Sequence, residues 1–153
     1  MARRGKWFAL WAIPLLAALV FSACGAAAVA SPVGAPTVGG APTQIIDGGN
    51  VTVKVTWPGV AAGPAFDVVL DTHEIDLDSY DLVKLALLRT DDGREVAPIS
   101  WNAPKGGHHR QGLLAFPSSG ADGKPILGST TRTIELIVRD VAGVPQRSFR
   151  WAL

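Results

Sequence analysis

The chain has 153 residues, enough for one domain of ordinary size, and its hydrophobic excess is concentrated before position 40. Three of its 14 cations, Arg3, Arg4 and Lys6, precede residue 24, so the rest of the chain sets 11 cations against 13 carboxylates. That balance excludes a nucleic-acid partner and a polybasic membrane-surface module, because both need a cationic face. Cys24 is the lone cysteine, so an intramolecular disulfide is excluded and a hydrophobic core must hold the domain.

Residues 1–6 carry three cations, residues 7–21 are uncharged and apolar, and Ser22-Ala23-Cys24-Gly25 follow. A positive start, an apolar stretch and small residues at a cleavage point make a secretory signal peptide. Phe21-Ser22-Ala23-Cys24 resembles the bacterial lipobox, with Phe where Leu is usual. The resemblance implies cleavage before Cys24 and a lipid on its thiol, tethering the domain to a membrane of the cell envelope, outside the cytoplasm. Two rival expectations stay open, an uncleaved transmembrane anchor and plain secretion. Residues 7–30 carry no charge, and about 20 apolar residues span a bilayer. Pro14 and the Gly/Ala run at 25–30 weigh against the anchor. Arg3-Arg4 lacks the neighbours of a twin-arginine signal and reads as ordinary signal-peptide charge. Residues 24–43, rich in Ala, Gly and Pro, read as a disordered, flexible linker.

From residue 44 to 153 the pattern changes to period two. Val51, Val53, Val55 and Trp57 alternate with polar residues until Pro58-Gly59 ends the strand. Phe66, Val68 and Leu70 mark a second strand, and Val83, Leu85 and Leu87 a third. Asp91-Asp92-Gly93 signals a hairpin turn, with residues 96–101 returning as its partner. Residues 110–116 form a fifth strand, closed by Pro117, and residues 118–130 a polar loop. Ile134, Leu136 and Val138 define the sixth, and Phe149, Trp151 and Leu153 the seventh, which is expected to pair internally. Leu82, Leu85, Ala86 and Arg89 also stand at helical spacing behind Ser79 as a cap, but the Asp-Asp-Gly turn favours the hairpin and leaves room for a single helical turn near residues 78–82. About seven short strands with Gly, Pro and Asp turns predict an all-β fold. An antiparallel immunoglobulin-like sandwich is favoured over a closed barrel.

The histidines fall in two segments flanking strands, Asp71-Thr72-His73-Glu74 and Lys105-Gly106-Gly107-His108-His109-Arg110. Imidazoles with a carboxylate suit Zn²⁺ or Cu²⁺, so His73, His108, His109 and Asp71 are candidate metal ligands. In an extended segment His108 and His109 point to opposite sides, so one of them at most joins His73. The competing expectation is that the same residues lock two loops together. Asp71 would then orient an imidazole, Arg110 would reach a carboxylate such as Glu74, and Trp101 would lie beside the Gly-Gly-His-His loop. No Gly-x-Ser-x-Gly accompanies Asp71 and His73, which leaves a serine hydrolase without its framework. The carboxylates at 71, 74, 76, 78 and 81 lack the ordered spacing of a calcium loop. Trp57 and Trp151 fall on apolar faces and read as core.

The run Val69-Leu70-Asp71-Thr72-His73, then Ser100-Trp101, then Gly106-Gly107-His108-His109-Arg110-x-Gly112-x-Leu114-x-Phe116, resembles a pattern in small exported bacterial and archaeal proteins. The resemblance spans most of residues 50–153. It implies an immunoglobulin-like domain and no established activity.

Together these readings predict a membrane-tethered, non-enzymatic lipoprotein. Its β-sandwich would act as a binding module for an unknown protein or small ligand, with no cofactor required. The alternative is an extracytoplasmic copper- or zinc-binding protein using the His73 and His108/His109 loops.

Overall fold

A computed structural model describes residues 42–153. The expected signal peptide, Cys24 and the expected linker as far as residue 41 lie outside the described residues. Among the described residues no helix is long and apolar enough to cross a membrane.

The strands are, in chain order, β1 (Thr43–Gly48), β2 (Val51–Thr56), β3 (Ala65–Asp71), β4 (Ala86–Thr90), β5 (Glu95–Val96), β6 (Ser100–Trp101), β7 (His109–Ala115), β8 (Thr133–Val141) and β9 (Val144–Ala152). A helical turn, α1 (Leu82–Leu85), precedes β4. Two sheets result, ordered β1-β2-β3-β7-β6 and β5-β4-β8-β9, with every pairing antiparallel. The chain crosses between them after β3, after β5 and after β7, which makes the fold all-β and two-layered.

Alternation along each strand explains why the layers meet. Val53, Val55, Phe66, Val68 and Leu70 point inward from the first sheet, and Leu88, Leu136, Val138 and Phe149 from the second, into one cluster. Trp57 and Trp151 join it, 5% and 2% exposed, with the Trp151 ring 5.3 Å from Phe66. Each such side chain contributes about 1.5–3 kcal/mol when fully buried.

Four expectations change. The described residues form nine strands rather than about seven. The extra first strand, β1, forms a hairpin with β2 around Gly49 and Asn50, whose φ angles of 57° and 61° are those of a two-residue type I′ turn. Residues 96–101, expected as one strand, divide between the sheets: β5 pairs with β4, whereas β6 pairs with β7. Pro98 lies at the break, where a residue without an N–H cannot donate to a ladder. The helical turn sits at 82–85 instead of 78–82, capped by Asp81, whose Oδ1 accepts from the Val83 N–H at 3.1 Å, and not by Ser79. The turn moves the phase of the following strand by one residue, so Ala86, Leu88 and Thr90 face inward where Leu85 and Leu87 were expected.

The outer face of the second sheet carries one row of charges across all four strands, Glu95-Arg89-Glu135-Arg150 in register. Arg89 Nη2 lies 2.6 Å from Glu95 Oε1, and Arg150 Nη2 lies 3.1 Å from Glu135 Oε1. Two carboxylates and two guanidiniums neutralise one another along that row.

Candidate functional site

All three histidines lie at one end of the domain, where the segment 72–81 leaves β3 and the segment 102–108 enters β7. The register of the two strands brings these segments side by side, because Asp71 pairs with His109 and Leu70 with Arg110. Beyond the last pair the backbones stay in contact. The Thr72 N–H donates to the His108 carbonyl at 3.0 Å, and the Leu77 N–H to the Gly107 carbonyl at 2.7 Å.

Arg110 is the centre of this region and is 7% exposed. Its Nε donates to the Pro104 carbonyl (3.1 Å) and Nη2 to the Ala103 carbonyl (3.1 Å). Nη1 donates to the carbonyls of Leu77 (3.1 Å) and Tyr80 (2.7 Å) on the facing segment. The planar fork therefore ties two loops through four backbone oxygens, a geometry that lysine lacks. Its guanidinium carbon also lies 4.2 Å from the Trp101 ring centroid, in cation–π contact. The Trp101 indole Nε1 is buried without a hydrogen-bond partner among the described residues.

The carboxylate beside Arg110 is Asp78, at 4.0 Å from Nε, rather than Glu74. Asp78 Oδ1 accepts from the N–H groups of Gly106 (2.9 Å) and Gly107 (3.2 Å). The Gly106 N–H holds the Asp78 carboxyl below its ordinary pKa. Partial desolvation opposes it, while the Gly107 N–H, Arg110 and Lys105 act in the same direction. A Cβ on Gly106 would come 2.7 Å from the His109 carbonyl oxygen, so the close approach needs glycine there. Glu74 accepts instead from Asn50 Nδ2 in the β1–β2 turn, at 2.5 Å.

Of the expected metal ligands, the structure brings Asp71 and His109 together, with Oδ1 and Nδ1 3.4 Å apart. His108 turns the other way, and its Nδ1 lies 2.9 Å from the Ile75 carbonyl, to which an Nδ1–H donates. That divergence follows from two-residue alternation at the start of β7. His73 is exposed, as is Glu74 after it, whereas Thr72 before it is buried. Among the described residues no group of three or more His, Cys, Asp or Glu side chains stands close enough to hold a metal ion. The Asp71–His109 pair offers two donors, short of the three that a transition-metal site ordinarily takes from protein.

A residue at the same end that the sequence reading passed over is Arg147, which is 1% exposed. Its Nη1 donates to the Val141 carbonyl (3.0 Å) and its Nη2 to the Gly48 carbonyl (2.5 Å), joining the β8–β9 and β1–β2 turns. Its Nε is buried without a hydrogen-bond partner among the described residues. Burial lowers the pKa of this guanidinium, and the Asp47 carboxylate and Tyr80 act in the opposite direction. Position 147 shares the parity of Phe149 and Trp151, which was the available signal that its side chain faces inward.

No family model, curated protein or solved structure matches the chain.

Proposed function

We propose that this protein is an exported, membrane-tethered interaction module of immunoglobulin-like type, with no catalytic role. A lipid on Cys24 holds it at the envelope, and the residues between Cys24 and β1 space the domain from the surface. The single observation that carries the reading of the domain is strand order. β2-β3-β7-β6 beside β4-β8-β9 has the order of the A-B-E-D and C-F-G sheets of immunoglobulin-like domains. β5 extends the second sheet and β1 the first. The lattice of backbone hydrogen bonds around Arg110 supports the reading further, because it makes the histidine-bearing segments a rigid part of the scaffold.

The test uses the full chain in the cell that produces it, with a photo-reactive amino acid placed singly at exposed positions on both sheet faces and on the loops. A discrete adduct with another protein from at least one position is the expected result. Absence of any adduct from every position overturns the module. For the tether, Cys24→Ser is expected to release the chain from membranes, and unchanged retention would overturn lipidation. A transition-metal role is the second reading, motivated by the Asp71–His109 pair. Stoichiometric Cu²⁺ or Zn²⁺ after equilibrium dialysis, lost in His109→Ala, would replace the first reading with that one.

A further inference from the structure

The outer faces of the two sheets differ in how they hold charge. On the first sheet three rows run across β1, β2, β3 and β7: Thr43-Thr56-Asp67-Leu113, Ile45-Lys54-Val69-Gln111 and Asp47-Thr52-Asp71-His109. Three of these side chains are carboxylates, and one, Lys54, is a permanent cation. Two of the carboxylates are held by neutral donors. Thr52 Oγ1 donates to Asp47 at 2.6 Å, and Gln111 Nε2 donates to both oxygens of Asp67 at 3.0 and 3.3 Å. The third, Asp71, has His109 at 3.4 Å, which carries charge only when protonated. Neutral donors fix where the oxygens point and leave lone pairs free for a charged donor, although the buried Arg147 guanidinium also attracts Asp47 from the inner side of the sheet. On the second sheet, by contrast, Glu95 and Glu135 are neutralised by Arg89 and Arg150.

The same face exposes a large apolar side chain on β1, beside Asp47, and another on β7, beside Asp67. Ile45 is 59% and Leu113 45% exposed, at opposite sides of the four strands. We infer that this face docks a polypeptide whose contacting surface combines lysine or arginine with apolar side chains. The inference rests on the reading of the domain as an interaction module and adds its surface and the chemistry of its partner. Positive groups opposite Asp47, Asp67 and Asp71 would meet carboxylates already oriented, while Ile45 and Leu113 lose water to apolar neighbours. Anionic lipid and nucleic acid are the wrong charge for it.

The experiment uses the full chain in nanodiscs of zwitterionic lipid. The probes are a fluorescent peptide alternating lysine and valine and its glutamate–valine counterpart, with protein-free nanodiscs as blank. Saturable binding of the lysine peptide alone is expected. It should weaken roughly tenfold in the triple variant Asp47→Asn/Asp67→Asn/Asp71→Asn, the combined effect of three exposed ion pairs. A photo-reactive residue at Leu113 should capture the peptide, and one at Arg139 on the other sheet should not. The amide variants are isosteric, and an unchanged thermal midpoint shows that they are folded. Three results would overturn the inference: undiminished binding in the triple variant, loss of binding on Asp76→Asn/Asp81→Asn instead, or a doubled-mass adduct of the chain with itself from Leu113. If adducts form in cells from the loops and never from Ile45 or Leu113, this face is refuted and the module stands. If none form anywhere, the module itself is refuted.

Discussion

Each sheet sends one arginine inward at the same end of the domain, and the two are accommodated differently. Arg110 from β7 directs Nε, Nη1 and Nη2 to four carbonyls and stacks on Trp101, with Asp78 nearby. Arg147 from β9 satisfies its two terminal nitrogens on turn carbonyls and leaves Nε with none. A buried charge that is fully hydrogen-bonded organises what surrounds it. One that is partly bonded carries a desolvation cost that an apolar side chain of similar volume avoids. The contrast teaches that burial alone does not mark an arginine as stabilising; the count of satisfied donors does.

Substitutions test this contrast directly. The largest expected effect is that of Arg110→Ala, which frees four carbonyls and uncovers Trp101. A loss of roughly 3 kcal/mol, seen as a fall in Tm on the order of 15 °C, is expected. Gly112→Ala comes next, because its Cβ would collide with the backbone nitrogen of Ala103, whose carbonyl Arg110 holds. Overpacking of this kind costs about 2 kcal/mol, read from the midpoint of urea unfolding. Arg147→Met should stay within about 1 kcal/mol of the parent. A loss matching that of Arg110→Ala would erase the distinction between the two arginines.

The smallest effect belongs to Asp78. Its carboxyl has a lowered pKa in the folded state, so it adds stability above the ordinary carboxylate value. That stability is lost as pH falls through the lowered native value. Asp78→Asn should therefore flatten the acid limb of the stability profile and converge with the parent at the lowest pH. An unaltered acid limb would remove Asp78 from the group that holds the loops.

Much of the fold was legible because alternation was clean where a strand is buried on one side. Val53, Val55, Phe66, Val68, Leu136 and Phe149 were all placed inward by parity, and all are. β1 was hidden because Gln44 occupies an inward position, where its amide exchanges hydrogen bonds with the backbone of Arg150 at 2.6 and 3.1 Å. A polar residue doing the work of a backbone partner breaks the alternation that would mark a strand in sequence. The shift in β4 came from Asp81, one Asp among several, and only the observed hydrogen bond to Val83 singles it out. At the candidate site, the meeting of the two histidine segments could be anticipated from their positions beside strands. The partners of Arg110 could not, because four of them are backbone oxygens, which every residue possesses.

Pro98 has one more consequence. By dividing what would have been a continuous strand, it ends both sheets on that side in segments of two residues, β5 and β6. A ladder that short gives an incoming extended chain almost nothing to zip onto. Many copies crowded together could thus touch along this border without being drawn into a common sheet. The proline that interrupts the ladder within one molecule also denies a neighbour a long ladder along this border.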